Sequence, residues 1–410
     1  MEANYDIAII GGGPAGSTIA TLLAKKGRNV ILFEKEKFPR YHIGESLVTG
    51  VMPILKELGI DSKMKKEDFI KKYGITLVWG NHSKPWKISF EEADPNNDAE
   101  FKYTFEVERD KFDYILLQHA KDSGVKVMEN TLVKKVNYEN GRCTGLSYRN
   151  NNDEELIDIN SNFVIDASGQ SALISKKNKL INYDEELKNL AVWSYFKDGK
   201  RYEDTEYGNI IIENIKDGWL WYIPQRNNIT SVGYVAPTVR FKKQNIKNLL
   251  TESINKSSEV KNMLENATEI SQRRTIKDWS YHSEKFAGPG YLLTGDAAGF
   301  VDPLFSTGVF LAMNSASLGA RIINDILDSP DNEEQLLMEY EEKYKSFLSK
   351  VTDFVHYFYD ASKVKDEYFK KADELVTPID AMTSRQEFVY LISGLAGSHT
   401  LEYENTKEEY

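Results

Sequence analysis

The chain has 410 residues, 41% of them hydrophobic, which is enough for two or three packed domains of an enzyme-sized globular protein. Its 52 Lys and Arg face 63 Asp and Glu, and the resulting net charge of -11 disfavours non-specific attraction to nucleic acid or an anionic membrane. Cys143 is the only cysteine, so an intramolecular disulfide and a cluster of thiolate metal ligands are both excluded.

The N-terminal segment has the pattern of a βαβ unit. An apolar run at residues 5–10 is followed by a glycine turn, a small-residue helix at 14–26 and a second strand at 29–34. The first strand begins so early that no room is left ahead of it for a secretory signal. No window approaches the roughly 18 to 20 apolar residues that span a bilayer. We therefore expect a cytoplasmic protein without a membrane partner.

The middle of the chain predicts two groups of strands. Short β-rich runs between residues 125 and 164, separated by turn-forming residues at 140–141 and 150–153, indicate a small antiparallel meander. Apolar runs at 163–166 and 291–296 end in an acid or glycine turn, as strands do that deliver loops to a cofactor. Residues 190–275, rich in Tyr, Trp, Ile and Val, predict an inserted second sheet on the substrate side.

Beyond about residue 329 the sequence predicts a charged helical region with one apolar stripe. The stripe residues are Tyr340, Tyr344, Phe347, Val351, Phe354 and Phe358. Their spacings of four and three place them on one face of a helix, and such a face usually packs on the protein core. A lid over a substrate site is compatible with the same pattern.

The turn after the first strand carries a dinucleotide-binding fingerprint. Its residues are Gly11, Gly13, Pro14, Ala15 and Gly16. The missing side chains let the turn tighten, a pyrophosphate approach the backbone and the helix pack on the sheet. The phosphate then meets the positive end of the helix dipole. Glu34, at the end of the second strand, is placed to accept hydrogen bonds from an adenosine ribose, and we include Lys35 beside it in the cofactor site.

Two later segments resemble the second and third fingerprints of the FAD-dependent aromatic hydroxylase superfamily. They are Asp166-Ala167-Ser168-Gly169 and Gly295-Asp296-Ala297-Ala298-Gly299. The resemblance implies FAD rather than NAD, with Asp166 in the site and Gly295-Asp296 on the ribityl chain. It also implies that Arg109 contacts the phosphate or adenosine of FAD, although a surface salt bridge to Asp113 is an alternative. Because no second glycine fingerprint suits a nicotinamide, we expect a separate flavin reductase.

Three further motifs are similar to those of flavin-dependent halogenases. They lie at residues 38–47, a segment shared with some related reductases, at 219–224 (W-x-W-x-I-P) and at 69–74 (F-x-x-K-x-G). The first adds Arg40 and Ser46 to the expected cofactor site. The second implies that Trp219 and Trp221 keep the organic substrate away from the flavin. The third implies that Lys72 is the active-site lysine.

These motif residues also have ordinary structural interpretations. Lys72 ends a basic run that begins at Lys63, and charge runs usually mark a solvated face. Trp219 and Trp221 share one face of a strand, where they would be packing residues. The match to the halogenase motifs is what favours the functional interpretation.

The halogenase resemblance assigns chemistry to these positions. In that family reduced flavin and oxygen oxidise halide to hypohalous acid. Lys72 would then hold the acid by a hydrogen bond, or lose its proton and form a haloamine. Thr307 and Gly308, just before an Ala-rich helix, would bind chloride or bromide through their backbone amides. Stabilisation of the anionic edge of the flavin is the competing role for this helix start.

The expected substrate depends on Phe305. Tryptophan halogenases have a glutamate immediately before Ser-Thr-Gly, which stabilises positive charge on an indole, whereas this chain has Phe305 there. A phenol or a pyrrole can stabilise its own arenium ion, so we expect a phenolic or pyrrolic substrate, free or tethered to a carrier protein. The alternatives are an FAD-dependent reductase or hydroxylase without halide chemistry, geranylgeranyl-reductase-like or monooxygenase-like, and a flavin-binding sensor or carrier-docking protein without turnover.

The element pattern and the resemblance together predict an α/β fold with a Rossmann-like FAD-binding domain, an inserted β-rich substrate domain and a C-terminal helical region. The expected boundaries are residues 1–70, 106–180 and 276–329 for the FAD-binding domain, 71–105 and 181–275 for the substrate domain, and 330–410 for the helical region. None of the six histidines has metal-ligand spacing, so no metal is expected. The sequence leaves open the substrate, the preferred halide, the reductase and the oligomeric state.

Overall fold

Two large β-sheets and a set of C-terminal helices make up the structure. The computed structural model describes residues 4–81, 84–93, 102–150, 155–241, 246–376 and 382–400. Within these residues one sheet has eight strands, a second has nine, and a short ladder has two.

The strands and helices are numbered in chain order. The strands are β1 (Asn4–Ile10), β2 (Val30–Phe33), β3 (Ile70–Lys72), β4 (Gly74–Val78), β5 (Trp86–Ser89), β6 (Thr104–Glu106), β7 (Lys126–Met128), β8 (Thr131–Glu139), β9 (Arg142–Asn150), β10 (Ile157–Asp166), β11 (Ile181–Lys197), β12 (Ile210–Ile215), β13 (Gly218–Pro224), β14 (Ile229–Pro237), β15 (Thr268–Glu269), β16 (Arg274–Ser283), β17 (Ala287–Gly288), β18 (Tyr291–Leu293) and β19 (Gly299–Phe300). The helices are α1 (Pro14–Lys25), α2 (Val51–Leu58), α3 (Asp61–Lys66), α4 (Arg109–Asp122), α5 (Leu173–Lys177), α6 (Thr238–Phe241), α7 (Ile246–Lys256), α8 (Glu259–Met263), α9 (Gly308–Asp328), α10 (Glu333–Phe358), α11 (Lys365–Leu375), α12 (Ser384–Ile392) and α13 (Leu395–Thr400).

The first sheet contains the predicted βαβ unit. Its strand order is β17-β18-β10-β1-β2-β7, and β1 pairs in parallel with both β10 and β2. All four residues of β2 are buried, as expected for a parallel strand that is covered on both faces. The glycine turn therefore lies at the carboxyl end of β1, between two parallel neighbours, where open α/β sheets bind their ligands.

The predicted meander is present but shorter than expected. Strands β8, β9 and β10 pair antiparallel in sequence, whereas β7 pairs in parallel with β2 and belongs to the βαβ sheet. The prediction was wrong for β7, because this three-residue strand pairs in parallel with β2 and does not join the antiparallel strands β8, β9 and β10. Residues 151–153 of the predicted turn lie outside the described residues.

The second sheet is built around β11, its longest strand. Its order is β19-β16-β11-β14-β13-β12-β4-β5. One face of the sheet packs on the core shared with the first sheet, and the other covers a smaller apolar cluster with α7 and α8. The predicted β-rich inserted region and the α/β fold class are confirmed, while the domain boundaries stay a prediction.

The C-terminal helices cover both sheets. All six residues of the predicted apolar stripe are buried on α10, so the interpretation as core packing is confirmed. Phe305 lies against this helix, with ring centroids 5.3 Å from Phe354 and 4.8 Å from Phe358. Among the described helices, none is long and apolar enough to cross a membrane.

Candidate active site

The glycine turn is held tightly against the loop that follows β10. Gly11 has a φ of +103°, and a Cβ on it would lie 2.4 Å from the carbonyl oxygen of Ala167. A Cβ on Gly16 would lie 1.9 Å from the carbonyl oxygen of Gly11. Gly13 precedes α1 and Pro14 is its first residue, which suits proline because the first N–H of a helix has no intrahelical partner. The turn therefore requires glycine at two positions for close backbone approach.

Glu34 is fixed beside this turn. Its side chain is buried, Oε2 accepts a hydrogen bond from the Gly12 N–H at 2.8 Å, and Oε1 accepts one from the Glu36 N–H at 2.9 Å. The carboxylate therefore stands at the end of β2 next to the glycine turn, as the fingerprint predicts. Lys35 has an exposed side chain. Contacts of either residue with a ribose stay a prediction.

Two arginines share one buried aspartate near the turn. Arg109 donates to Asp113 through Nε and Nη2 at 2.8 and 3.0 Å, and Arg40 donates to the same carboxylate at 2.9 Å. Arg109 also donates to the carbonyl of Ile43 at 2.9 Å. Burial opposes ionisation of Asp113, but the two guanidinium groups hold its pKa below the usual value. The Arg109–Asp113 ion pair is therefore formed, but it is buried and not at the surface as the alternative had it.

The three fingerprints converge in space. Both carboxylate oxygens of Asp166 accept amide hydrogens of its own loop, from Ser168 at 3.0 Å and from Ile174 at 2.8 Å. A Cβ on Gly295 would lie 3.2 Å from the Cβ of Ala15, so the third fingerprint touches the first helix. Burial raises the pKa of Asp296 to about 6, and Arg109 opposes this shift.

This arrangement fits FAD. The N-terminus of α1 offers amides without intrahelical acceptors, and the nearest atom to a Cβ on Gly13 is an Arg40 nitrogen 3.7 Å away, which leaves room beside a guanidinium group for a pyrophosphate. Glu34 stands beside this space for a ribose, and Asp296 lies within electrostatic reach of Arg109. The donors, the acceptor and the open glycine match a dinucleotide with an adenosine ribose and a pyrophosphate.

Lys72 is fully buried. Its Nζ donates to the Ser46 hydroxyl at 2.8 Å and to the Leu47 carbonyl at 2.9 Å. Burial lowers the pKa of Lys72 to about 8, although Glu106 opposes the shift. Lys71, the preceding residue of β3, is exposed. The alternative that placed Lys72 on a solvated face is therefore wrong, because successive strand residues point to opposite sides.

Glu106 and Glu45 are two buried carboxyl groups that were not among the predicted site residues. Ser46 donates its hydroxyl to Glu106 Oε1 at 3.2 Å, and Tyr195 donates its hydroxyl to Glu45 Oε1 at 2.7 Å. Burial raises the pKa of Glu106 to about 8 and that of Glu45 to about 7. The sequence could have indicated Glu45, because it lies inside the motif at residues 38–47. Nothing in the sequence places Glu106 beside Ser46.

Trp219 and Trp221 lie buried on one face of β13. Their ring centroids are 6.2 Å apart, and a third indole, Trp193, lies 6.4 Å from Trp221. The indole N–H of Trp219 donates to the Tyr359 hydroxyl at 2.8 Å, and that of Trp221 donates to the Ser231 hydroxyl at 3.1 Å. Both tryptophans therefore face the core shared by the two sheets, and both are held in orientation by hydrogen bonds.

Thr307 and Gly308 form the start of α9. Thr307 is buried and directly precedes the helix, and Gly308 is its first residue. A Cβ on Gly308 would meet no atom within 4 Å outside its own helix and its chain neighbours. Ser306 has a φ of +59°, so the chain turns sharply just before the helix. The first residue of a 21-residue helix therefore has open space beside its Cα, and the first amides of such a helix have no intrahelical acceptor.

These features together define a flavoprotein of the halogenase class, with a three-fingerprint FAD site, a buried lysine and a tryptophan pair on one fold. The family model for tryptophan halogenases matches residues 6–100 and 91–394. The chain belongs to this family, and its relatives include enzymes that are named flavin-dependent halogenases.

Individual relatives agree with this assignment. A tryptophan 2-halogenase of Chondromyces crocatus is 35% identical over 92% of this chain and 72% of its own length. A 1H-pyrrole-2-carbonyl peptidyl-carrier-protein chlorinase of Pseudomonas fluorescens is 30% identical over 87% of this chain and 84% of its own length. The myxobacterial chondrochloren halogenase, a variant of the FAD-dependent halogenases, has a TM-score of 0.82 and 32% identity over 97% of each chain. The predictions of a flavin-dependent halogenase and of FAD as cofactor are confirmed.

Proposed function

We propose that this enzyme uses reduced FAD, O2 and chloride or bromide to halogenate an electron-rich phenolic or pyrrolic substrate, with Lys72 as the residue that transfers the halogen. The observation that carries the proposal is the burial of Lys72. Its side chain is fully buried and donates hydrogen bonds to Ser46 and Leu47, two residues of the segment that follows the dinucleotide-binding unit. Burial of an amine without a direct carboxylate contact is unfavourable, and ionisable groups buried in this way cluster at functional sites.

The residues that would hold FAD follow from the geometry of the turn. Gly11 to Gly16 and the N-terminus of α1 would bind the pyrophosphate, Glu34 the adenosine ribose, Arg40 and Arg109 the phosphate side, and Asp296 the ribityl chain. When bound in its reduced form, FAD supplies with O2 the oxidising power that converts halide into hypohalous acid. Electrons would come from a separate flavin reductase.

The start of α9 would bind the halide. The amides of Thr307 and Gly308 belong to the positive end of a helix dipole, and the open space at Gly308 admits an anion. Backbone N–H groups suit a halide because they donate hydrogen bonds without bringing an acidic side chain that would repel the anion. Bromide soaking of FAD-loaded crystals should give an anomalous peak at these amides, and a carbonyl oxygen pointing into the same position would contradict the assignment.

Lys72 would act on the hypohalous acid in one of two ways. As an ammonium it donates a hydrogen bond to the acid and polarises the halogen for attack by the aromatic ring. As a neutral amine its nitrogen attacks the halogen, so that an N–halogen bond forms, the halogen–oxygen bond breaks and water leaves. The lowered pKa of Lys72, about 8, makes the neutral amine accessible near neutral pH.

The tryptophan pair would separate the oxidation of halide at the flavin from the halogenation of the substrate at Lys72. Trp219 and Trp221 lie buried with their indole N–H groups already bonded to Tyr359 and Ser231, so neither ring is free to turn aside. A fixed apolar wall of this kind keeps a planar substrate from the flavin while small hypohalous acid passes to Lys72.

The surroundings of Phe305 support the substrate class. Position 305 carries a phenylalanine whose ring is buried against Phe354 and Phe358, and it therefore cannot supply the carboxylate that tryptophan halogenases have before Ser-Thr-Gly. A phenol or pyrrole carries its own stabilising heteroatom and does not need that group. The relative named as a chlorinase of pyrrole-2-carbonyl on a peptidyl carrier protein makes a tethered substrate a second form to test.

The proposal is tested by competition among substrates. We expect mass spectrometry to detect brominated phenol or pyrrole, and no brominated tryptophan, after incubation with FAD, a flavin reductase, NADH, O2 and bromide. Lys72→Ala should abolish bromination and leave FAD binding intact. Lys71→Ala is the matched control, because it removes the exposed neighbour in the same strand. Normal bromination by Lys72→Ala would overturn the role of the lysine.

Substitution of Lys72 by Arg separates the two roles of the lysine. A guanidinium cannot lose its proton at working pH, so it donates a hydrogen bond but forms no haloamine. An inactive Arg variant that folds and binds FAD supports the haloamine, whereas an active one leaves only the hydrogen-bonding role.

A further inference from the structure

Lys72 ends a chain of buried hydrogen bonds that leads to a carboxylate. Its Nζ donates to the Ser46 hydroxyl at 2.8 Å, and the same hydroxyl donates to Glu106 Oε1 at 3.2 Å. The direction of donation is the same at both links, from the amine to the hydroxyl and from the hydroxyl to the carboxylate. All three side chains are buried, at 5% exposure or less. The geometry is that of a two-step path for a proton.

Backbone pairing fixes this series of hydrogen bonds from two sides. Strands β3 and β6 pair antiparallel, with Lys72 opposite Thr104 and Ile70 opposite Glu106. Ser46 forms an isolated β-bridge with Glu106, which brings the segment after the dinucleotide-binding unit onto the same ladder. The positions of the amine, hydroxyl and carboxylate are therefore set by backbone pairing, and none depends on a mobile loop.

The carboxyl group of Glu106 is not saturated by its neighbours. Its Oε2 is buried and has no hydrogen-bond partner within the described part of the chain. The titratable groups that act on Glu106 are Lys72, which lowers its pKa, and Glu45, which raises it. A buried carboxyl with an unpartnered oxygen is an unfavourable arrangement, and it is expected where the group has to gain and lose a proton.

We propose that Glu106 accepts the proton that Lys72 must lose before its nitrogen is halogenated, and that Ser46 passes this proton between them. This inference rests on the proposed function. The ammonium of Lys72 gives a proton to the Ser46 oxygen while the Ser46 hydroxyl proton moves to the Glu106 carboxylate. The neutral amine then attacks the halogen of hypohalous acid, the N–halogen bond forms, and the departing hydroxide takes an amine proton to leave as water.

The directions of the two pKa shifts support this path. Burial lowers the pKa of Lys72 and raises that of Glu106, to about 8 in each case. The two pKa values therefore move toward each other, and proton transfer between these groups needs less driving force than between a lysine and a glutamate with ordinary pKa values. Glu106 acts on the halogen only through Lys72 and is therefore a positioning residue in this reaction.

The test is the pH profile of halogenation at saturating halide and substrate. The glutamine amide cannot accept the proton that the Glu106 carboxylate accepts, so we expect Glu106→Gln to lower the maximal rate by about tenfold or more. Glu106→Asp should recover part of the rate because it keeps a carboxylate. Ser46→Ala should cause a similar loss, and the double variant should be no slower than either single one because both residues belong to one path.

Two outcomes would overturn the relay. If Glu106 served only as a charge near Lys72, Glu106→Gln would move the profile to lower pH and leave the maximal rate unchanged, because loss of a negative charge lowers the pKa of the lysine. A fully active Ser46→Ala variant would also contradict it, and this variant decides the matter if Glu106→Gln does not fold. FAD titration of every variant separates a loss of cofactor from a loss of proton transfer.

A matched control distinguishes the relay from general stability. Glu213 is an equally buried glutamate, but its carboxylate accepts the Val260 N–H at 2.8 Å at the start of α8, on the other face of the second sheet. Glu213→Gln should change stability without changing the pH profile. Activity in Lys72→Ala would defeat the proposed function itself, whereas an unchanged maximal rate in Glu106→Gln, with Lys72→Ala inactive, would defeat only the relay.

Discussion

The hydroxyl of Tyr359 accepts the indole N–H of Trp219 at 2.8 Å and donates to Asp302 Oδ2 at 3.0 Å. This contact joins the tryptophan strand β13 to the residue directly after α10, and it reaches the loop that leads to α9. The orientation of Trp219 is therefore set by a C-terminal residue more than a hundred positions away.

Removal of this hydroxyl should loosen the tryptophan wall. We expect Tyr359→Phe to lower the free energy of unfolding by about 1–3 kcal/mol, because the buried indole N–H of Trp219 loses its acceptor. Product formation should fall relative to NADH consumed, since the organic substrate can then pass the loosened wall and reach the flavin. Urea unfolding and the ratio of product to NADH are the measurements. Tyr183→Phe, at an exposed tyrosine, is the control, and an unchanged ratio would contradict a role for Trp219 in separation.

The glycine turn allows structural and ligand-binding glycines to be distinguished. Gly16→Ala should abolish FAD binding and destabilise the fold, because its Cβ would lie 1.9 Å from the carbonyl oxygen of Gly11. Gly13→Ala should fold normally, since the nearest atom to its Cβ is an Arg40 nitrogen at 3.7 Å. If the pyrophosphate occupies that space, Gly13→Ala should still weaken FAD binding by about tenfold or more, a cost of about 1.4 kcal/mol. Thermal unfolding and flavin fluorescence give the two readouts, and unchanged FAD affinity in Gly13→Ala would move the pyrophosphate elsewhere.

A methyl group at Gly308 should separate helix stability from anion binding. Alanine forms helices better than glycine, so Gly308→Ala should raise the free energy of unfolding by up to about 1 kcal/mol, given that the site is open. The same methyl would crowd an anion at the first amides of α9, and we expect the KM for bromide to rise. Steady-state kinetics against bromide concentration is the measurement. A more stable variant with an unchanged KM would show that the halide binds at another site.

The buried pair Lys72 and Glu106 should give the stability of the enzyme an unusual pH dependence. Glu106 has a pKa raised from 4.5 to about 8, so its contribution is fully present below pH 4.5 and is lost as the pH rises through 8. Lys72 has a pKa lowered from 10.5 to about 8, so the folded state releases its proton first and the contribution of the lysine grows between pH 8 and 10.5. The two contributions together give a minimum of stability near pH 8.

Urea unfolding across this pH range tests the prediction. Glu106→Gln removes the titrating carboxyl group, so the unfolding free energy of this variant should fall less steeply between pH 4.5 and 8 than that of the enzyme. Lys72→Met should remove the rise above pH 8. A wild-type profile whose slopes persist in both variants would show that other groups dominate the pH dependence.

Local sequence patterns were sufficient to predict much of the cofactor site. The glycine turn, Glu34 and the later fingerprints lie at the ends of strands whose apolar runs are unambiguous, and backbone pairing then brings those ends together. The apolar stripe on α10 could be predicted because its residues recur with the period of a helix. The family motifs added Lys72 and the tryptophan pair, which composition alone would have assigned to a surface and to core packing.

The network around Lys72 depended on the tertiary structure. Whether a lysine in a basic run is buried depends on strand alternation and on what covers that face, and neither is visible in a run of charges. Glu106 reaches Ser46 because β6 pairs with β3 and Ser46 bridges to the same ladder, which joins residues 60 positions apart. The sequence by itself determined the nucleotide-binding frame and the motif residues, because these follow from short-range periodicity and turn chemistry. Only the tertiary structure decided which buried acids, hydroxyls and aromatic rings surround them, because those contacts arise from long-range strand pairing.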